Sequence, residues 1–218
     1  MPKLIFSISV FLFGFAASIL AQQEKSFPKT GKTVKQFLKG GWFEIGRGKA
    51  DFNTDGKTDL ALAVEYAKEG DDEDGKRALI ILFKDSNGYV LSKVNYEALM
   101  DKNDGGMLGD PFQGITVKNN TFKISHYGGT AWRWGFDAQF RFQNKDWFLI
   151  GEKSYDYNNV NYCDSLKDNG SSHITDINYL TGRKYVKEIS DDCVLKKDGW
   201  EKIKIEALKK FTDYTANN

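Results

Sequence analysis

Phe136-Asp137-Ala138-Gln139-Phe140-Arg141-Phe142-Gln143 alternates apolar and polar residues without a break. In an extended chain successive side chains point to opposite faces. This period of two therefore predicts a strand with Phe136, Ala138, Phe140 and Phe142 on one buried face. After the turn residues Asn144-Lys145-Asp146, a second strand is expected over residues 147–153. The pair sets the expectation for the whole chain, antiparallel β-structure with its core on one side.

Working outward, apolar runs at 60–66 and 77–84 read as buried strands, and Asn87-Gly88 is a hairpin signal before a returning strand at 89–94. Residues 115–117 and 122–126 flank Asn119-Asn120, and 176–180 and 183–189 flank Thr181-Gly182, both hairpin-like. Val34, Phe37 and Leu38 have helical spacing. The tail is ambiguous: Ile203 and Ile205 alternate as in a strand, while Ile205, Leu208 and Phe211 are spaced as on a helix. The expected fold is mainly β, an antiparallel meander or sandwich of roughly eight to eleven short strands, with minor helix at the termini.

Residues 1–21 are set apart from this domain. Lys3 is followed by an almost wholly apolar run from Leu4 to Ala17, and Ala21 offers a small-residue cleavage site, the pattern of a secretory signal peptide. The alternative is an uncleaved membrane anchor. Residues 22–33 read as a flexible leader, and 34–218 as a single β-rich domain. A secreted or periplasmic location follows from the signal, with no membrane association once it is removed.

The chain of 218 residues has a formal net charge of +1, and the signal segment carries Lys3 and no acid. The remaining balance is zero, which argues against sequence-independent nucleic-acid binding. Aromatics make up 14% of residues, chiefly core in expectation, with a stacking surface for ligands as the alternative. Both cysteines, Cys163 and Cys193, lie in the mature part, and an even count in an oxidising compartment predicts one disulfide. Free thiols and a redox pair are the alternatives, and no CxxC spacing supports the latter.

One stretch carries specific chemistry: Asp51-Phe52-Asn53-Thr54-Asp55-Gly56-Lys57-Thr58-Asp59. Asp51, Asn53 and Asp55 alternate, so a curling loop aims three oxygens inward, and Gly56 permits a sharp reversal. Lys57 contributes only its carbonyl, with its ammonium directed away, and Asp59 closes the set directly or through water. Hard cations such as calcium need several oxygen ligands held in this way. An EF-hand would place a bidentate glutamate at the twelfth position, which here is Leu62. The alternative is a metal-free turn held by Asx hydrogen bonds. The acidic run at 69–76 reads as a solvated hairpin tip, with a second cation site as its alternative.

Asp51 to Val64 resembles the calcium loop and following strand of FG-GAP/VCBS-type repeats, found in integrin-like propellers and many secreted bacterial proteins. The resemblance implies that Asp51, Asn53, Asp55, the Lys57 carbonyl and Asp59 hold calcium. It covers about fifteen residues, and the loop occurs once, whereas FG-GAP propellers repeat it. The longer texture resembles secreted bacterial proteins that carry a single such loop, and implies no activity.

His126 and His173 are the only histidines, and no nucleophile motif or zinc spacing accompanies them. No catalytic residue is singled out. The glycine-rich stretches 104–114 and 126–134 carry His126, Tyr127, Trp132, Arg133 and Trp134, a possible ligand surface or a set of tight turns with buried tryptophans. The expected function is a calcium-binding module, its ion structural, acting by binding a protein or a carbohydrate. The alternative is a secreted hydrolase with a carboxylate or histidine site in the glycine-rich cleft.

Overall fold

The computed structural model describes residues 26–67, 70, 75–160, 163 and 172–216. The expected signal segment and most of the acidic run at 69–76 lie outside the described residues. Two antiparallel sheets stack face to face. The first has five strands in the order β1-β5-β4-β3-β2. These are β1 (Thr30–Gly31), β2 (Trp42–Ala50), β3 (Asp59–Tyr66), β4 (Arg77–Asp85) and β5 (Gly88–Asn95).

The second sheet is a seven-strand meander in which each strand pairs with the next in sequence. It comprises β6 (Phe112–Lys118), β7 (Thr121–Gly129), β8 (Trp132–Gln143), β9 (Asp146–Asn158), β10 (Ser172–Asn178), β11 (Arg183–Ile189) and β12 (Leu195–Lys202). Helical structure among the described residues is confined to three-residue 3-10 turns, at Val34–Gln36, Gly106–Leu108 and Phe211–Asp213. The expected mainly β, antiparallel sandwich is therefore the observed architecture. Its hairpins use the expected turns. Asn119 and Asn120 both take positive φ (49° and 57°), as do Asn144 and Lys145 (51° and 62°). Two successive left-handed residues match the twist of the strands they join.

The main core lies between the sheets. Ala61, Ala63, Leu79 and Ile81 of the first sheet face Phe122, Ile124, Ala138, Phe140, Trp147 and Leu149 of the second. The opposite face of the first sheet, carrying Leu62, Val64, Ile80 and Leu82, is covered by Phe27, Phe37 and Trp42. With both faces covered, every residue of β3 is buried, and its near-continuous apolar sequence follows from that. Residues 26–33, expected as part of a flexible leader, are instead docked: Phe27 is buried against Trp42 and β1 pairs with β5.

Three further differences from expectation have local causes. β12, Leu-Lys-Lys-Asp-Gly-Trp-Glu-Lys, shows no apolar alternation because both of its faces are largely open to solvent. Tyr127-Gly128-Gly129 and Trp132 to Trp134 are strand rather than loop, since β7 and β8 run past their apolar centres into a glycine-rich continuation. The tail forms neither a long strand nor an α-helix. Past β12 it returns to the sandwich, where Lys209 accepts a hydrogen bond from Leu149 and Phe211, Tyr214 and Ala216 fill the main core.

Cys163 and Cys193 form the expected disulfide. It ties the connection between β9 and β10 to the turn before β12 across a sequence separation of 30 residues. Among the described residues no helix is long and apolar enough to cross a membrane.

Candidate metal centre

The Asp51–Asp59 loop joins β2 to β3 and is held at both ends. Phe52, its second residue, is 2% exposed and packs edge-on against Trp147 (5.4 Å) and Phe122 (5.8 Å). Edge-to-face pairs of this kind add about 0.5–1.5 kcal/mol each beyond the area they bury. Asp59, the first residue of β3, is wholly buried. Its Oδ2 accepts from the Phe52 amide at 3.0 Å and its Oδ1 from the Lys84 amide of β4 at 2.7 Å. Burial pushes the Asp59 carboxyl upward, while the amides of Lys84, Phe52 and Asn53 pull against that rise.

Between these anchors the side chains fold back over their own backbone. Asp51 accepts from the amides of Asp55 (3.0 Å) and Gly56 (2.8 Å), Asn53 Oδ1 from Asp55 (3.0 Å), and Asp55 Oδ1 from Lys57 (2.9 Å). Asn53 and Asp55 thus form two successive Asx turns, while Asp51 reaches four and five residues along the loop. Thr54 (φ 61°) and Gly56 (φ 85°) take left-handed conformations that close the curl. Asp51 and Asn53 are half-buried and Asp55 is exposed, so the curl opens to solvent on one side.

The loop suits a hard cation in its donor chemistry. Asp51, Asn53 and Asp55 are held at alternating positions by amides, and each carboxylate oxygen retains a second lone pair. Two departures from the expected ligand set stand out. Asp59 braces the loop against β4 with both oxygens already accepting hydrogen bonds, so of the expected ligands it is the most heavily engaged. The Lys57 ammonium stands 3.9 Å from Asp55 Oδ2 rather than clear of the loop. Among the described residues, no group of three or more His, Cys, Asp or Glu could hold a metal ion. Only a mixed set including the Asn53 amide and a backbone carbonyl is available here.

The second candidate surface is divided by the pleat. His126 pairs with Phe136 and Gly128 with Trp134, so His126, Trp132 and Trp134 share one face while Tyr127 and Arg133 share the other. His126 is 2% exposed, stacked on Phe136 at 4.6 Å, and its Nε2 accepts from the Met100 amide at 3.3 Å. Burial, with the Arg77 guanidinium nearby, lowers its pKa to about 4, and Asp110 and Asp137 only partly offset this. It is thus neutral at ordinary pH. Trp134 stacks on Phe136 at 6.1 Å, and Trp132 is 44% exposed. On the far face Tyr127 and Tyr157 share a hydroxyl contact of 3.0 Å, and Arg133 donates to the Gly129 carbonyl at 3.3 Å.

An ion cluster centred on the buried Arg77, which local sequence does not reveal, fixes the glycine-rich connection before β6 through the exposed Asp110. Arg77, 2% exposed, donates to Glu65 Oε2 (2.9 and 2.7 Å), to both oxygens of Asp110 (2.7 and 2.6 Å) and to the Met100 carbonyl (3.1 Å). The Arg77 hydrogen bonds hold the Asp110 carboxyl below its usual range. Gly129 donates to the Gly105 carbonyl at 2.9 Å, a close approach of two backbones that a Cβ on Gly128 would obstruct.

No protein-family model matches this chain, and no curated protein does. Among solved structures, one described as the structure of a Xanthomonas Type IV secretion system related protein is similar over 69% of this chain. The identity is 16% and the TM-score 0.29. The chain spans 56% of that protein's length. A likeness at this level does not bear on function.

Proposed function

We propose that the protein is an extracytoplasmic β-sandwich braced by calcium at the Asp51–Asp59 loop, acting by binding rather than by catalysis. The observation that supports it most is the succession of Asx turns. Amides hold Asp51, Asn53 and Asp55 curled over the loop backbone before any ion is added. In this reading Asp51, Asn53, Asp55 and the Lys57 carbonyl hold the ion, with water and Asp59 completing the shell. The ion supplies a positive charge to the Asp51 and Asp55 carboxylates, and displaces the Lys57 ammonium from Asp55. The FG-GAP/VCBS-like spacing agrees with this. A disulfide, with no free cysteine among the described residues, fits an oxidising compartment.

Extracellular modules bind calcium at about 0.1–1 mM. At ~1 mM calcium and the tighter limit, the ion adds about 1.4 kcal/mol of stability. For a domain of this size that corresponds to a rise in Tm of about 3–6 °C over a chelator-treated sample. Asp55→Ala removes an exposed ligand and should abolish the rise. An equal rise in the variant, or none in the parent protein, would overturn the calcium reading.

A further inference from the structure

The outward face of the seven-stranded sheet carries a groove of a different character. Its floor is at Gly151, beside a bulge where Ile150 is inserted opposite the Gln139–Phe140 step. No side chain covers this glycine. A Cβ built there would meet only the Ile177 carbonyl (3.1 Å) and Gln139 Oε1 (3.9 Å). A trough of about 540 Å³ lies above it, with Lys118, Lys123, Arg141 and Lys153 on its walls and Asp137 and Asp176 between them. Glu152, which accepts from the Tyr179 hydroxyl, also lines it. Lys123 is paired with Asp137 at 2.6 Å. Lys118, Arg141 and Lys153 have no carboxylate within ion-pair distance among the described residues. Arg141 is steadied by Gln143 Oε1, which accepts from its Nε at 2.9 Å.

Asp137 also borders a second hollow of about 490 Å³, walled by Tyr127, Tyr155 and Tyr157. Tyr155 lies across Gly135, where any side chain would collide with the ring. Its ring stacks toward that of Tyr127 at 6.4 Å. The two hollows run on from one another along β7, from Thr121 to Tyr127, a length of about 20 Å at strand rise. One end is cationic and the other aromatic, while carboxylates and the Gln139 amide in the middle can accept hydrogen bonds from hydroxyls.

We infer that this groove binds an anionic polysaccharide. The unpaired cations meet its acid groups, Asp137, Asp176 and Gln139 accept from sugar hydroxyls, and the tyrosine rings pack on sugar faces. A nucleic acid fits less well, because Asp137, Asp176 and Gln139 call for hydroxyl donors, which a polysaccharide offers on every unit and a DNA strand does not. The inference extends the binding role proposed above without depending on calcium, and its failure would leave the thermal-shift result untouched.

The test is calorimetric titration of the whole chain with two anionic oligosaccharides, an oligogalacturonate and a sulfated heparin-type oligomer. A neutral maltooligosaccharide of equal length and a single-stranded DNA of equal charge serve as comparisons. At least one anionic sugar should bind, and which one does identifies carboxylate or sulfate as the acid group. Arg141→Gln with Lys153→Gln should weaken it about tenfold, as should Tyr155→Ala. Lys35→Gln with Lys39→Gln, which removes the same charge from exposed positions near the other sheet, should leave affinity within about twofold. Absence of binding to both acidic sugars would overturn the inference. So would equally tight binding of the DNA or the neutral sugar, or equal weakening by the Lys35/Lys39 variant.

Discussion

The five-stranded sheet and the far half of the seven-stranded sheet are built from the same backbone pattern and meet opposite fates. β3 is buried at every position between two covering layers. β12, at the end of the other sheet, is exposed at most positions and carries lysines and acids on both faces. The first sheet is a packed slab whose residues are dictated by volume. The second is a platform that leaves the sandwich after β9, and its outer residues are free to be selected for contact. Burial without polar partners fixes apolar identity, and its absence leaves room for the groove.

The sharpest test of that contrast is a pair of equivalent truncations. Leu62→Ala in β3, which is wholly buried, should cost about 3–5 kcal/mol in urea unfolding. Leu195→Ala in β12, 45% exposed, should stay within about 0.5 kcal/mol. Comparable losses at both sites would break the distinction.

Arg77 extends the slab's rigidity to the glycine-rich connection before β6. Among the described residues, Arg77→Ala leaves the buried Glu65 with only Lys102, 3.9 Å away and half-exposed, and should cost about 3–4 kcal/mol. A loss under about 1 kcal/mol would reduce the cluster to a surface pair.

His126 gives a pH signature of the same junction. Its folded value of about 4 lies below the ordinary 6.5, so the unfolded chain binds the proton first as pH falls. Stability is full above pH 6.5 and declines between 6.5 and 4, by up to about 3 kcal/mol. His126→Gln should flatten that stretch of the stability–pH curve, and an unchanged slope would place its origin elsewhere.

The sequence was most legible where interactions are local. Alternation at 136–143 identified β8, and paired turn residues located the hairpins, because side-chain period and turn conformation are short-range properties. The oxygen spacing of Asp51–Asp59 was readable for the same reason. β12 was not, since a strand open on both faces has no apolar period to display. The Arg77–Asp110 pair joins residues 33 apart, and nothing near either announces the other. The groove depends on register. Lys123, Arg141, Lys153 and Asp176 sit on four different strands, and a one-residue slip of any strand would turn its member to the other face. The division of His126 and Trp134 from Tyr127 and Arg133 follows from simple alternation, which the glycines around them obscured.

The return of the tail has a consequence for the order of assembly. Asn95 donates to the carbonyls of Phe211 and Tyr214, 116 and 119 residues further on, and those rings close a core that includes Phe122 and Phe140. A chain delivered from its N-terminus can form hairpins early, yet its central aromatic cluster stays open until residue 216 is available. Completion of the fold is thereby deferred until nearly all of residues 26–216 have been delivered.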